Sequence, residues 1–113
     1  MTALKKKSET CDEQLRRMCK AHAEEITEGK TREGKNVYMQ DFMEGVLDIE
    51  WITNNDHTYK AARLLVAGGG PSIWVNLQSL TVDGYWWGCD KVEHHFLDNI
   101  GLDDYLEVLH ANK

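Results

Sequence analysis

Hydrophobic positions recur at helical spacing in the first part of the chain and alternate with polar ones in the middle. After Thr10-Cys11-Asp12-Glu13, which has the Thr-x-x-Glu form of a capping box, Leu15, Met18, Cys19 and Ile26 fall on helical spacings. A first helix is predicted from about Thr10 to Glu28, with Gly29 placed to end it. Residues 29–36 are polar, hold two glycines and read as a mobile loop. Val37, Tyr38, Met39, Phe42, Met43 and Val46 fit a short second helix, with Asn36 as its cap and Gly45 near its end.

The period then changes from helical to alternating. Leu47, Ile49 and Trp51 alternate with Asp48 and Glu50, as in a half-buried antiparallel strand. Asn54-Asn55-Asp56-His57 supplies turn chemistry before a β-compatible run from Tyr59 to Ala67. Gly68-Gly69-Gly70-Pro71-Ser72 interrupts that run, and Ile73 to Leu77 form a third strand. A fourth follows the Gln78-Ser79 turn, with Leu80, Val82 and Trp86 on one face and Thr81, Asp83, Tyr85 and Trp87 on the other. Residues 90–98 fit neither period. Leu102, Tyr105, Leu106 and Leu109 predict a closing helix to about Ala111, with Asp103 and Asp104 at its N-terminus where the macrodipole favours acids.

These elements compose an α+β domain: a four-stranded antiparallel β-meander covered on one face by two to three helices, in the order α-α-β-β-β-β-α. Leu47, Ile49, Trp51, Ile73, Val75, Leu77, Leu80, Val82 and Trp86 should meet the helices. Asp48, Glu50, Trp74, Asn76, Thr81, Asp83, Tyr85 and Trp87 should face outward. Trp74, Tyr85 and Trp87, beside Asp48, Glu50 and Asp83, then form a candidate partner-binding face, because aromatics amid polar groups are enriched in binding hot spots. The competing expectation is that Arg63 covers this cluster through a cation-π contact, or that the second helix or residues 90–98 do so. A register slip of one residue would exchange the two faces.

A length of 113 residues fits one domain, and 42% hydrophobic with 28% charged residues is a globular composition. Residues 1–9, with Lys5-Lys6-Lys7, are expected to be a disordered basic tail. No apolar stretch suits a membrane span or a signal core, which points to the cytoplasm. The charge of −6 is unevenly spread: residues 1–40 carry +2 and residues 41–113 carry −8. Phosphate contacts supply most nucleic-acid affinity, so the acidic part argues against direct nucleic-acid binding and for a basic protein partner, or for solubility alone. Three cysteines, at 11, 19 and 89, are an odd number without a Cys-x-x-Cys, so reduced thiols are expected, with Cys11 and Cys19 as core residues on one helix face.

Catalytic chemistry finds little foothold. The glycine run lacks the Lys-Ser or Lys-Thr of a phosphate loop and precedes a strand. Cys89, His94 and His95 are the one local group of soft ligands, but adjacent histidines on regular structure point apart. Ser8, Ser72 and Ser79 lack a nucleophile elbow, and the carboxylates are accounted for by a helix start and a polar strand face. No catalytic residue, metal ligand or cofactor is therefore nominated, and a small metal-dependent enzyme using Cys89, His94 and His95 is the least favoured class.

Three pieces, Gly69-Gly70-Pro71-Ser72-Ile73-Trp74-Val75-Asn76, Val82-Asp83-Gly84-Tyr85-Trp86-Trp87-Gly88 and Asp98-Asn99-Ile100-Gly101-Leu102-Asp103-Asp104-Tyr105-Leu106, carry a resemblance. The chain resembles small uncharacterised acidic proteins of phages and conjugative elements in Gram-positive gut bacteria, over roughly residues 41–110. The match carries no functional residue and no enzyme activity. It implies a mobile-element origin, and with it an anti-CRISPR-like inhibitor of a host defence nuclease. Such an inhibitor could occupy a positively charged nucleic-acid channel of an RNA-guided enzyme by mimicry. An accessory protein-binding module of a mobile element with another target is the alternative.

Overall fold

The computed structural model describes residues 10–31 and 33–112; the predicted basic tail lies outside them. Helix α1 spans Cys11–Glu28. Its capping box is complete: the Glu13 N–H donates to the Thr10 hydroxyl at 3.1 Å and the Thr10 N–H donates to the Glu13 carboxylate at 3.0 Å. Gly29 ends the helix in the left-handed region, φ 68°, and donates its N–H to the Glu25 carbonyl. Lys30 and Thr31 pair with Asn36 and Lys35, through a bridge between Lys30 and Asn36 and a Thr31 N–H bond to the Lys35 carbonyl.

Helix α2 is Met39–Glu44, shorter than the pattern of apolar positions predicts. The Val37 N–H bonds to the Gly29 carbonyl, so the chain is still extended at Tyr38, and Asn36 is no cap. The strands β1 (Asp48–Thr53), β2 (Tyr59–Ala67), β3 (Ser72–Asn76), β4 (Thr81–Tyr85) and β5 (Val92–His95) pair antiparallel in sequence order. Helix α3, Leu102–Ala111, closes the chain.

The sheet therefore has five strands, not four. β5 comes from the stretch that showed no period, and it pairs Val92 with Gly84, His94 with Val82 and His95 with Thr81. Its inward positions are Val92 and the polar His94, so the apolar alternation that marks the other strands is broken within four residues. The register otherwise agrees with the predicted faces. Ile49, Leu64, Val75, Val82 and His94 stand in one cross-strand row on the helix side.

α1 lies across β4 and β5, and α3 lies against β2. Leu15, Cys19 and Ile26 of α1 and Leu102 and Leu106 of α3 are fully buried against Leu64, Ile73, Val75 and Val82. Each such side chain contributes about 1.5–3 kcal/mol of burial, which makes this face the main source of stability. Contact is tightest at Gly84, where an added Cβ would stand 2.6 Å from the Cys19 Sγ and 2.9 Å from the Leu15 Cδ1.

Two predicted core residues are exposed, Leu47 at 64% and Leu80 at 38%. Leu47 precedes β1, and Leu80 takes a left-handed φ of 57° in the β3–β4 turn, which breaks the alternation there. α3 starts on a side chain outside it: the Asp98 carboxylate accepts the N–H groups of Leu102 and Asp103 at 2.8 and 2.9 Å. Asp103 is then free to accept the Tyr59 hydroxyl at 2.6 Å, which ties α3 to β2. Burial, followed by this bond, raises the Tyr59 pKa.

The cysteine expectation is corrected. Cys11 and Cys89 form a disulfide across a sequence separation of 78, Cys11 is exposed, and only Cys19 is a buried free thiol. Eight residues of helix rotate a side chain by about 80°, enough to carry Cys11 off the core face. The turn after β4 meets it there, and the Asp90 N–H bonds to the Asp12 carboxylate at 3.1 Å beside the cross-link. Among the described residues no helix is long and apolar enough to cross a membrane.

Candidate partner-binding face

The sheet face turned away from α1 and α3 carries Asp48, Glu50, Trp74, Asp83 and Tyr85, the residues that strand alternation places there. Asp48, Leu65, Trp74, Asp83 and Glu93 form one cross-strand row, and Glu50, Arg63, Asn76, Thr81 and His95 form the next. Leu65, Arg63, Glu93 and His95 extend the predicted cluster. For Arg63 and Leu65 the signal was in the sequence, since they alternate with the inward Ala62 and Leu64; for Glu93 and His95, in the stretch without a period, it was not.

Trp87 is placed differently from the rest. β4 ends at Tyr85, so Trp87 stands in the following turn, 97% exposed, and is not a strand residue. Cys89, a little further along the same turn, is bonded to Cys11. Tyr85 is 38% exposed. Trp74 is half-buried because the Arg63 guanidinium sits 4.4 Å from its ring centroid, the cation-π cover that the sequence raised as the alternative. Arg63 is itself held by Glu50 at 2.7 Å. A second cation repeats the arrangement: the Lys91 ammonium lies 5.6 Å from the Tyr85 ring centroid and 2.9 Å from the Glu93 carboxylate. The Lys91 pKa is raised, first by Glu93 and then by Tyr85, with Asp83 adding to the effect.

Asp83 is the anomaly on this face. Although it lies on the side of the sheet without helices, it is only 3% exposed, and its Oδ1 is shielded from solvent with no hydrogen-bond partner. Neighbouring side chains on β3 and β5, Trp74 and Glu93, flank it in register. A buried carboxylate oxygen without a donor loses the full hydration of that atom, a cost of about 1–3 kcal/mol or more. Its charge also reaches through the sheet: burial first and Asp83 second push the Cys19 thiol up to about 11.

The soft-ligand group of the sequence does not assemble. Cys89 is bonded to Cys11, while His94 and His95 occupy opposite faces of β5. Among the described residues, the ligating atoms that gather within 4.8 Å are those of Cys11, Asp12 and Cys89, two of them sulfurs already bonded to each other. Comparison with protein-family models, with curated proteins and with solved structures finds no match for this chain.

Proposed function

We propose that this chain is an acidic, stoichiometric inhibitor that binds a host defence nuclease, anti-CRISPR-like in action, through the open sheet face. The observation that supports this reading most is the Asp83 carboxylate, buried among Trp74, Glu93 and Tyr85 with an unpartnered oxygen. The buried Asp83 charge, with the exposed carboxylates of Glu93 in its own row and Glu50 in the next, gives the face a negative character that a basic surface of the enzyme complements, beside Trp74 and Tyr85, over which Arg63 and Lys91 already lie. The charge of −8 over residues 41–113 favours approach to a nucleic-acid channel. Trp87, 97% exposed beside the face, is the apolar anchor. Cytoplasmic action fits a target of this kind.

The direct test follows target cleavage by CRISPR nucleases of Gram-positive hosts, guide-loaded and guide-free, with the protein in molar excess. Cleavage should fall to background for at least one nuclease type. Undiminished cleavage across all types overturns the proposal and leaves an accessory binding module. Two variants of an active inhibitor locate the contact. Trp87→Ala touches no core residue and should speed dissociation by the equivalent of about 2 kcal/mol while leaving stability unchanged. Asp83→Asn removes a desolvated charge and should weaken inhibition without lowering the urea midpoint. Retained inhibition in both variants moves the contact off this face.

A further inference from the structure

Three ligating groups converge where the start of α1 meets the turn after β4. The sulfurs of Cys11 and Cys89 and a carboxylate oxygen of Asp12 all lie within 4.8 Å of one another. Cys11 is exposed, and Asp12 and Cys89 are half-buried at the surface, so the group is open to solvent. Other contacts than the cross-link hold the two segments together. The Asp90 N–H donates to the Asp12 Oδ1 at 3.1 Å, the Cys89 N–H donates to the Trp86 carbonyl at 2.9 Å, and Leu15 and Cys19 of α1 pack on Gly84 of β4.

In the oxidised chain the two sulfurs are bonded to each other, and a disulfide is a poor ligand because the thiolate is the form that binds metal. A small thiol reductant, RSH, opens the bond: two RSH become one RS–SR, their two electrons pass to the Cys11–Cys89 bond, and two protein thiols form. Cys11 is the first residue of α1, where the helix dipole favours negative charge. A tetrahedral zinc ion, with Zn–S of about 2.3 Å, sets two sulfurs about 3.8 Å apart. Cα atoms 6.3 Å apart accommodate that spacing by side-chain rotation. The Asp90 N–H on the Asp12 Oδ1 orients the carboxylate and leaves its other oxygen for a metal.

We infer that the reduced chain binds one zinc ion at this place, through the Cys11 and Cys89 thiolates and the Asp12 carboxylate, with water as the fourth ligand. Binding releases the two thiol protons to solvent. Two thiolates and one carboxylate suit a borderline-soft cation and select against magnesium and calcium, which take oxygen ligands. The exposed Asp90 beside the site and the net charge of −6 favour the approach of a cation. The ion ties α1 to the turn that carries Trp87, as the disulfide does in the oxidised chain. The site uses no residue of the open sheet face and stands independently of the inhibitor reading.

The test uses the full chain near neutral pH, either oxidised or reduced under argon with a phosphine and exchanged into metal-free buffer. Zinc is titrated against a chromophoric chelator, and cobalt(II) serves as the spectroscopic probe. The reduced chain should take up one zinc ion with a Kd of about 1 μM or tighter, and the oxidised chain should bind at least about 100-fold more weakly. Cobalt should give a thiolate charge-transfer band that zinc abolishes. Zinc should also raise the urea midpoint of the reduced chain. Cys89→Ser should lose the cobalt band, and Asp12→Asn, at the surface, should weaken zinc by about tenfold or more with the amide spectrum otherwise intact. The comparison of oxidised with reduced parent needs no substitution, so it decides even where a variant fails to fold. No uptake by the reduced chain, equal uptake by the oxidised chain, a cobalt complex without the thiolate band, unchanged affinity in Asp12→Asn, or a reduced chain that lacks the folded amide spectrum before metal is added would each overturn the inference.

Discussion

At the scale of single residues, burial and partnering disagree, among the described residues, at Asp83 and His22, and neither disagreement was legible in the sequence. Alternation placed Asp83 on the outward face, yet no period reveals that Trp74 and Glu93 on adjoining strands would bury it. The Arg63 cover over Trp74 was legible as a possibility, because an Arg at an outward strand position reaches its cross-strand neighbours. His22 has a consequence for stability that can be measured. Its pKa in the folded chain is lowered from 6.5 by burial, so the unfolded chain takes up a proton first as pH falls. Its contribution is therefore present above about pH 6.5 and lost on acidification through the lowered folded value. Glu25, Lys35 and Asp41 share a cavity with His22; the raised Glu25 pKa acts in the opposite sense, stabilising the fold as pH falls toward 4.5. Urea unfolding should show stability declining below about pH 6.5, and His22→Gln should flatten that decline relative to the parent. An identical pH profile in the variant contradicts the burial of a neutral imidazole.

At the scale of elements, the long periodic segments were read closely and the short ones were not. α1, with a complete capping box and a left-handed glycine at its end, agrees with its predicted bounds, and so does the nine-residue β2. α2 lost residues to a backbone bond between Val37 and Gly29, a contact distant in sequence. β5 has four residues and a histidine at an inward position, too little for any period to register. The close approach of α1 to β4 was equally hidden, because alternation places Gly84 within the fourth strand without showing that a helix presses on it. Replacing it by alanine drives a methyl group to 2.6 Å from Cys19 and 2.9 Å from Leu15. The sulfur belongs to a packed helix side chain and the strand is held on both edges, so relief requires α1 to move. Gly84→Ala should cost about 1–3 kcal/mol of overpacking, whereas alanine at Gly70, with open space around it, should be neutral. Recovery of stability in Gly84→Ala with Leu15→Val would confirm that the helix contact is responsible, and no loss in the single variant contradicts the packing.

At the scale of the whole molecule, the sheet and helices were foreseeable as an α+β arrangement, while the bond that joins the start of α1 to the turn after β4 was not. Pairing of Cys11 with Cys89 depends on α1 lying across β4 and β5, a tertiary fact that cysteine counting cannot supply. An odd count argued for reduced thiols; one thiol is buried and the other two are linked. A cross-link over 78 residues restricts the unfolded chain strongly, and its removal should lower stability by about 2–4 kcal/mol. The native contact it spans has other support, from the Asp90 bond to Asp12 and from Cys19 and Leu15 packed on Gly84. Reduction should therefore shift the unfolding midpoint while the folded spectrum survives. That separation bears on function, since disulfides are rare in a reducing cytosol, where a nuclease inhibitor would act. Cys11→Ser with Cys89→Ser should unfold at lower urea yet retain binding by the open face, because Trp74, Asp83 and Tyr85 are positioned by strand pairing rather than by the cross-link. A double variant that is folded but inactive would tie the face to the oxidised state, and would require Trp87, in the turn before Cys89, to be the residue that the bond holds in place.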